Sequence, residues 1–346
     1  MAAFERMPAA SVTPTSTTMR AAMAHRFGGP DVVRVADVPT PTPASGELLV
    51  RVHASTVSIA DHRLRSREVP RGTMLLAAPT IGFLRPRIPV LGMEASGVVE
   101  AVGSAVTRFA PGDEVMLMRG ARFGCHAEFV TVPDDGEVVR KPANLSFEEA
   151  AAVIFGGHTA MRYLDLVSIG PGSEVLVNGA SGAVGTAAVQ LAARRGARVT
   201  AVTSARNAEL VRSLGAERVI DYERDDFAAP GEGGREAHYD VIVECVGNAP
   251  FGRVAPLIRP GGALLLVIAD LRGMLGARRH ARRSGILVNH AGGPMGAEGM
   301  ARLAAAAEAG DIRPVIDRTF ALDDIVDAHR YVDTGRKRGS VVLRVR

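Results

Sequence analysis

The run VLVNGASGAVG at Val175–Gly185 constrains the chain more than any other stretch. It reads as an apolar strand that runs into small residues, from which a helix opens over Ala183–Arg195. Gly182 and Gly185 have the spacing of the last two glycines of the GxGxxG fingerprint, with Ala180 at the first position. That pattern is needed where a strand must turn tightly, let its backbone approach a pyrophosphate and pack close under a helix. The first turn of the helix then offers free N–H groups and the positive end of its dipole to phosphate. Ala180, Ser181, Gly182, Ala183, Val184 and Gly185 are therefore the candidate phosphate-facing residues. The competing reading is an α/β turn whose glycines serve packing alone.

The surroundings favour a nucleotide fold. Strands are predicted at Glu174–Asn178, Arg198–Ser204, Arg218–Tyr222, Asp240–Val246, Ala263–Ile268 and Ile286–Asn289, with helices at Ala183–Arg195 and Asn207–Leu214 between the first three. Continuous apolar strands alternating with helices indicate a parallel sheet covered on both faces, which binds ligands beyond the carboxyl ends of its strands. This texture begins at Ser146, whose hydroxyl and Glu149 three residues on form a capping box for a helix to Leu164. Before it, from Met19, short alternating runs such as Glu47–Val52, Gly97–Val102, Glu114–Met118 and Ala127–Val132 are punctuated by Gly and Pro, as in a β-rich domain. After an Ala-rich helix at Ala297–Ala309, the chain ends in a strand entered through Gly339, whose β texture suits the first domain. The expected organisation is a tail (1–18), a β-rich domain (19–145), a doubly wound α/β domain (146–290) and a return to the first domain (291–346).

Composition bounds the rest. A chain of 346 residues suggests about two domains. Its longest apolar run, Ala263–Ala269, falls far short of the roughly 20 residues needed to span a bilayer. The two cysteines, Cys125 and Cys245, belong to no CxxC pattern, which excludes a zinc ribbon or disulfide scaffold and suits a reducing cytoplasm. Of 41 basic residues all but Lys141 and Lys337 are arginine, yet the net charge is only +4. No nucleic acid is expected as partner, because the basic stretches hold a single Phe, Phe83, and not an interleaved series of stacking residues.

The second strand of the nucleotide unit identifies the dinucleotide. An NAD site places an acid at its end, on the ribose 2′-hydroxyl. Here the strand ends Val202-Thr203-Ser204-Ala205-Arg206-Asn207. A hydroxyl and a guanidinium suit a 2′-phosphate, so Ser204 and Arg206 point to NADPH.

With these motifs in place, the sequence resembles the medium-chain dehydrogenase/reductase superfamily, and within it the zinc-independent quinone oxidoreductase (zeta-crystallin-like) branch. The resemblance rests on Pro89–Val115, Ser146–Ala160, Val175–Ala192, Glu209–Phe227, Tyr239–Gly247 and Arg338–Leu343. It implies a GroES-like catalytic domain interrupted by a Rossmann domain, an active site in the cleft between them, and a dimer or tetramer; a homodimer is expected, across which the edge strand Ile286–Asn289 could pair. It places Thr159 and Gly247 by the nicotinamide half of the cofactor and Tyr222 beside the adenosine; Val246 and Ile268 join them as candidate contacts. Zinc-dependent relatives carry ligands where this chain has Ser58, Met93 and Phe155, so no catalytic zinc is expected. Without a Lewis acid, the natural chemistry is NADPH-dependent reduction of an activated C=C bond or a quinone. The alternatives are a carbonyl or biosynthetic-pathway reductase on the same scaffold, and a non-catalytic NADPH-binding protein.

Three residues are candidates for a catalytic role. Ser58, where the family usually has Asn, could donate to a substrate carbonyl. Asp61 matches the family pattern; it is expected to form a structural ion pair with Arg65, with proton donation as the other reading. His158 has a ring suited to protonating an enolate, against a packing role. His53 is expected to be structural and His62 to face solvent. The arginine-rich stretches Arg63–Arg87 and Leu271–Arg283 read as solvated faces, or as a basic rim for an acidic substrate.

Overall fold

The computed structural model describes residues 17–229 and 238–346, so most of the expected N-terminal tail lies outside the described residues. The first domain contains strands β1 (Thr18–Ala24), β2 (Val33–Pro39) and β3 (Glu47–Val57), then helices α1 (Ile59–Ser66) and α2 (Met74–Ile81). Strands β4 (Glu94–Val102), β5 (Glu114–Met118), β6 (Phe129–Pro133) and β7 (Val138–Arg140) complete its first pass. β3 is long and almost wholly buried because it is central: it pairs with β4, with β6 and with the last strand of the chain.

Helix α3 (Phe147–Leu164) links the two domains. Its capping box forms as the sequence predicts, with Glu149 N–H donating to the Ser146 hydroxyl and Ser146 N–H to the Glu149 carboxylate. Then follow β8 (Glu174–Asn178), α4 (Ala183–Arg194), β9 (Arg198–Thr203), α5 (Ala208–Ser213), β10 (Ala216–Asp221) and β11 (Tyr239–Glu244). The short α6 (Phe251–Val254), β12 (Ile258–Leu266), α7 (Leu271–Ser284) and β13 (Leu287–Asn289) finish this layer. All six strands are parallel, in the order β10-β9-β8-β11-β12-β13. The order reverses between β8 and β11, the switch point at which such sheets hold ligands.

Helix α8 (Gly296–Glu308) leads back through β14 (Ile316–Ala321) and α9 (Ile325–Asp333) to β15 (Ser340–Arg344). β15 pairs antiparallel with β3. That sheet runs β14-β15-β3-β4-β5-β7. The domains touch at three places that matter for the cleft. The Ser340 hydroxyl donates to the Ala152 carbonyl on α3, Gly339 N–H to the Ser181 carbonyl, and Leu271 N–H to the Arg71 carbonyl.

Candidate active site

The glycine run forms a bare helix start. Gly182 is the N-cap of α4 and no side chain caps it, so the first-turn amides keep their donors for a ligand. A Cβ at Gly185 would run into the Gly179 carbonyl oxygen, which shows how closely α4 sits on β8. The tight turn itself falls at Gly179, with φ +79°. The fingerprint, counted from Ala180, misses this residue, although its place directly after the strand marks it.

Apart from Thr159 on α3, the other candidate cofactor residues follow the carboxyl ends of the sheet's strands, along one edge. Ser204 follows β9 and is buried; its hydroxyl accepts from the Asn207 amide. The Ser181 hydroxyl accepts from both Thr203 (2.9 Å) and Asn207 (3.1 Å), tying the glycine loop to the end of β9. Arg206 is exposed and has no ion-pair partner among the described residues. Tyr222 is exposed after β10, and Val246 and Gly247 are exposed after β11. The carboxylate of Glu244 at the end of β11 is fully buried. It accepts from Val246 N–H, from Gly247 N–H and from the Asn178 amide at 2.7 Å, so it shapes this loop at the switch point. Thr159 on α3 is half-buried, and its hydroxyl has no partner among the described residues.

Beside these strand ends lies a cavity of about 400 Å3 built by both domains. Ile268 and Met274 form one wall; Leu64, Leu76 and Phe123 form the other, with Met93 between. Its lining is mainly apolar. Two of its polar side chains, Arg63 and His290, have no hydrogen-bond or ion-pair partner among the described residues. Partial burial draws the Arg63 guanidinium below its ordinary pKa. The sequence marks Arg63 only as one arginine in a basic stretch; its position on the cavity wall follows from α1 lying along the cleft.

The three catalytic candidates are not brought together at this cavity. Ser58 caps α1: its hydroxyl donates to Asp61 at 2.8 Å and accepts from Ala60 N–H. Asp61 is fully buried and also accepts from Ser58 N–H (2.8 Å) and Gly92 N–H (2.7 Å). The expected Asp61–Arg65 ion pair does not form. Arg65, fully buried on α1, reaches Asp333 with two bonds of 2.7 Å and the Gly28 carbonyl at 2.6 Å. It points across to α9 because Asp61, one turn earlier, is already satisfied by the α1 N-terminus. Nor does His62 simply face solvent: its ring lies between Asp333 and Glu68. His158 is turned to Glu137 at 3.2 Å, and Glu137 also accepts from Gly296 N–H at the start of α8. His53 stacks on Phe147 with ring centroids 4.2 Å apart.

Beneath the cleft floor lies a group that sequence reasoning did not single out as a site. Glu94, fully buried, follows the cavity-lining Met93 and accepts a hydrogen bond from the Thr56 hydroxyl. Burial, reinforced by the nearby Asp61, pushes its carboxyl up to about 8. The Lys337 ammonium donates to the Gly339 carbonyl at 2.6 Å, beside the strap to the glycine loop. Burial draws it down to about 8, against the opposing pull of Asp317 and Glu94.

Comparison with known proteins places this arrangement. A family model described as an alcohol dehydrogenase GroES-like domain matches residues 44–143, and one described as a zinc-binding dehydrogenase matches 214–343. The chain is 30% identical to a quinone oxidoreductase of Sus scrofa, over 94% of its own length and 97% of that protein. It is 29% identical to 2-methylene-furan-3-one reductase of Solanum lycopersicum, over 97% of its length and 82% of that protein. The solved quinone oxidoreductase of Coxiella burnetii superposes with a TM-score of 0.80 at 27% identity, covering 95% of this chain and all of that one. One family description names zinc, but the donor set here does not fit that metal. Ser58 has its hydroxyl committed to Asp61, and Met93 and Phe155 offer a thioether and a phenyl ring. The chain belongs to the medium-chain dehydrogenase/reductase superfamily, in its quinone oxidoreductase branch, and is an oxidoreductase of a nicotinamide-dependent type.

Proposed function

We propose that the protein is a zinc-independent, NADPH-dependent reductase of quinones or of enone-type C=C bonds. The observation that carries this reading is the apolar cavity shared by both domains at the nucleotide edge of the sheet, with Arg63, unpaired among the described residues, on its wall. NADPH bound along that edge supplies the hydride. The α4 N-terminus and the Ala180–Gly185 loop would hold the pyrophosphate, and Ser204 and Arg206 would take the 2′-phosphate. Tyr222 would lie by the adenosine, and Thr159, Val246, Gly247 and Ile268 would bound the nicotinamide half. Arg63 orients the acceptor through its oxygen and stabilises the negative charge that gathers there during reduction. The apolar walls exclude water and select a poorly hydrated acceptor. In this reading Ser58 and Asp61 position α1, and with it Arg63, while His158 holds α3 to the Glu137 turn.

A quinone's two conjugated carbonyls, or an enone's β-carbon, accept hydride without a metal, which suits a site whose zinc-ligand positions are Ser58, Met93 and Phe155. The reading includes a homodimer through β13, which is the free edge of its sheet and leaves Leu287 40% exposed. It also includes a cytoplasmic location, in keeping with the two unpaired thiols; no helix among the described residues is long and apolar enough to cross a membrane. The test is NADPH oxidation with a panel of quinones, enals and ketones. Turnover of quinones or enals supports the reading, and turnover of ketones alone contradicts it.

A further inference from the structure

The cleft mouth carries a surface that the reaction does not explain. Along α2 and the loop after it, Leu75, Leu76, Phe83 and Leu84 stand out from the protein, joined by Leu275 on α7. These five side chains are between 60% and 94% exposed. Their spacing puts Leu75, Leu76 and Pro79 on the outer side of α2, while Ala78 and Ile81 pack inward. No charged residue interrupts Met74–Leu84. The two helices adjoin: Leu271 N–H donates to the Arg71 carbonyl, and Leu76 and Met274 line one cavity.

Arginines frame this stripe. Arg71, Arg85 and Arg87 flank α2, and Arg278, Arg279 and Arg282 follow Leu275 at three-, four- and seven-residue spacing on one exposed face of α7. None of the six has a carboxylate partner among the described residues, whereas arginines elsewhere, such as Arg195, Arg253 and Arg330, are ion-paired. α7 itself contains no acid. Exposed apolar side chains inside a basic frame match the chemistry of a bilayer interface with anionic headgroups. A second copy of this chain would bring the same uncompensated charge against it. Leu84 borders a wide, open depression with Phe83 and Pro79 and is still 94% exposed, so the stripe's apolar side chains stand free in water, as insertion into lipid requires.

We propose that the cleft mouth docks on an anionic membrane surface, inserting the Leu75–Leu84 stripe among the acyl chains with the arginines on the headgroups. Leu76 reaches both the stripe and the cavity, so an apolar acceptor can pass from lipid to cavity without crossing water. That last step rests on the function proposed above; the docking does not. The experiment is co-sedimentation of the full chain with vesicles of phosphatidylcholine, with and without phosphatidylglycerol. The protein is expected to sediment with the anionic vesicles and not with the neutral ones, and to be released as salt rises from about 0.1 to about 0.5 M. Combined Leu75→Gln, Phe83→Gln and Leu84→Gln changes are expected to weaken partitioning at least about tenfold with an unchanged melting temperature. Arg278→Gln, Arg279→Gln and Arg282→Gln together are expected to weaken it as well. Absence of binding to anionic vesicles, or equal binding by the wild type and the apolar triple variant, overturns the proposal. So does a wild-type dimer in solution that the triple variant abolishes, which would assign the stripe to a second copy. NADPH turnover plays no part in the readout, so failure here leaves the proposed reaction standing.

Discussion

The Gly339 N–H donates to the Ser181 carbonyl oxygen at 2.8 Å, so the glycine loop of one domain is strapped to the start of the last strand of the other. Gly339 has φ +61°, and a Cβ there would strike the Val315 carbonyl oxygen. Gly339→Ala is therefore expected to displace the strap. We expect a stability loss of about 1–3 kcal/mol, with nucleotide affinity falling about tenfold although residue 339 need not touch the nucleotide. Thermal denaturation and fluorescence titration with NADPH check this. Unchanged affinity would show that the strap does not hold the loop.

Arg206, exposed after β9 and without an ion-pair partner among the described residues, is the test of cofactor choice. Arg206→Glu replaces an attractive charge by a repulsive one beside the proposed 2′-phosphate. The Michaelis constant for NADPH should rise by about two orders of magnitude, with little change for NADH. Equal effects on the two cofactors would refute the assignment.

Arg63 is predicted to act on the acceptor and not on the nucleotide. Arg63→Gln should lower kcat/KM for a quinone about 10–100-fold while leaving the dissociation constant for NADPH within about twofold. Arg63→Lys, which keeps the charge, should recover part of that loss. Steady-state kinetics alongside nucleotide titration separate the two effects, and a parallel loss of NADPH binding would contradict the role.

Glu94 makes stability depend on pH. Its folded pKa, about 8, lies above its ordinary value of 4.5. Between these values the folded state keeps a proton that the unfolded state has lost. Its contribution therefore falls as pH rises through that window and levels off above about 8. Glu94→Gln removes this dependence. The stability of the variant relative to the wild type should increase from pH 5 to pH 8 by an amount on the order of a few kcal/mol. Urea unfolding at several pH values measures it, and a constant difference would contradict the shifted pKa. Lys337, drawn below its ordinary value, acts in the opposite sense above pH 8, so the comparison stays below that point.

The parallel sheet was legible because its strands are apolar runs between helices: β8 spans the predicted Glu174–Asn178, and α3 starts at the predicted Ser146 cap. The glycine loop was legible because few residue types tolerate so close a helix. Side-chain partners were not, because they depend on which elements cross in space. Asp61 and Arg65 sit four residues apart on one helix, a spacing that suggests a pair. Tertiary packing instead gives Asp61 to Gly92 and Arg65 to Asp333, residues distant in sequence. Arg63 and Glu94 were passed over for the same reason: their chemistry comes from the desolvation imposed by neighbouring elements, which residue spacing does not encode.

The central claim is a metal-free reduction by NADPH in the interdomain cavity. Its most direct test is the rate of NADPH oxidation by a quinone, measured on purified protein before and after exhaustive chelation. The account predicts quinone-dependent oxidation at an unchanged rate after chelation. Loss of activity on chelation with recovery on adding zinc, or absence of quinone-dependent oxidation under both conditions, would contradict it.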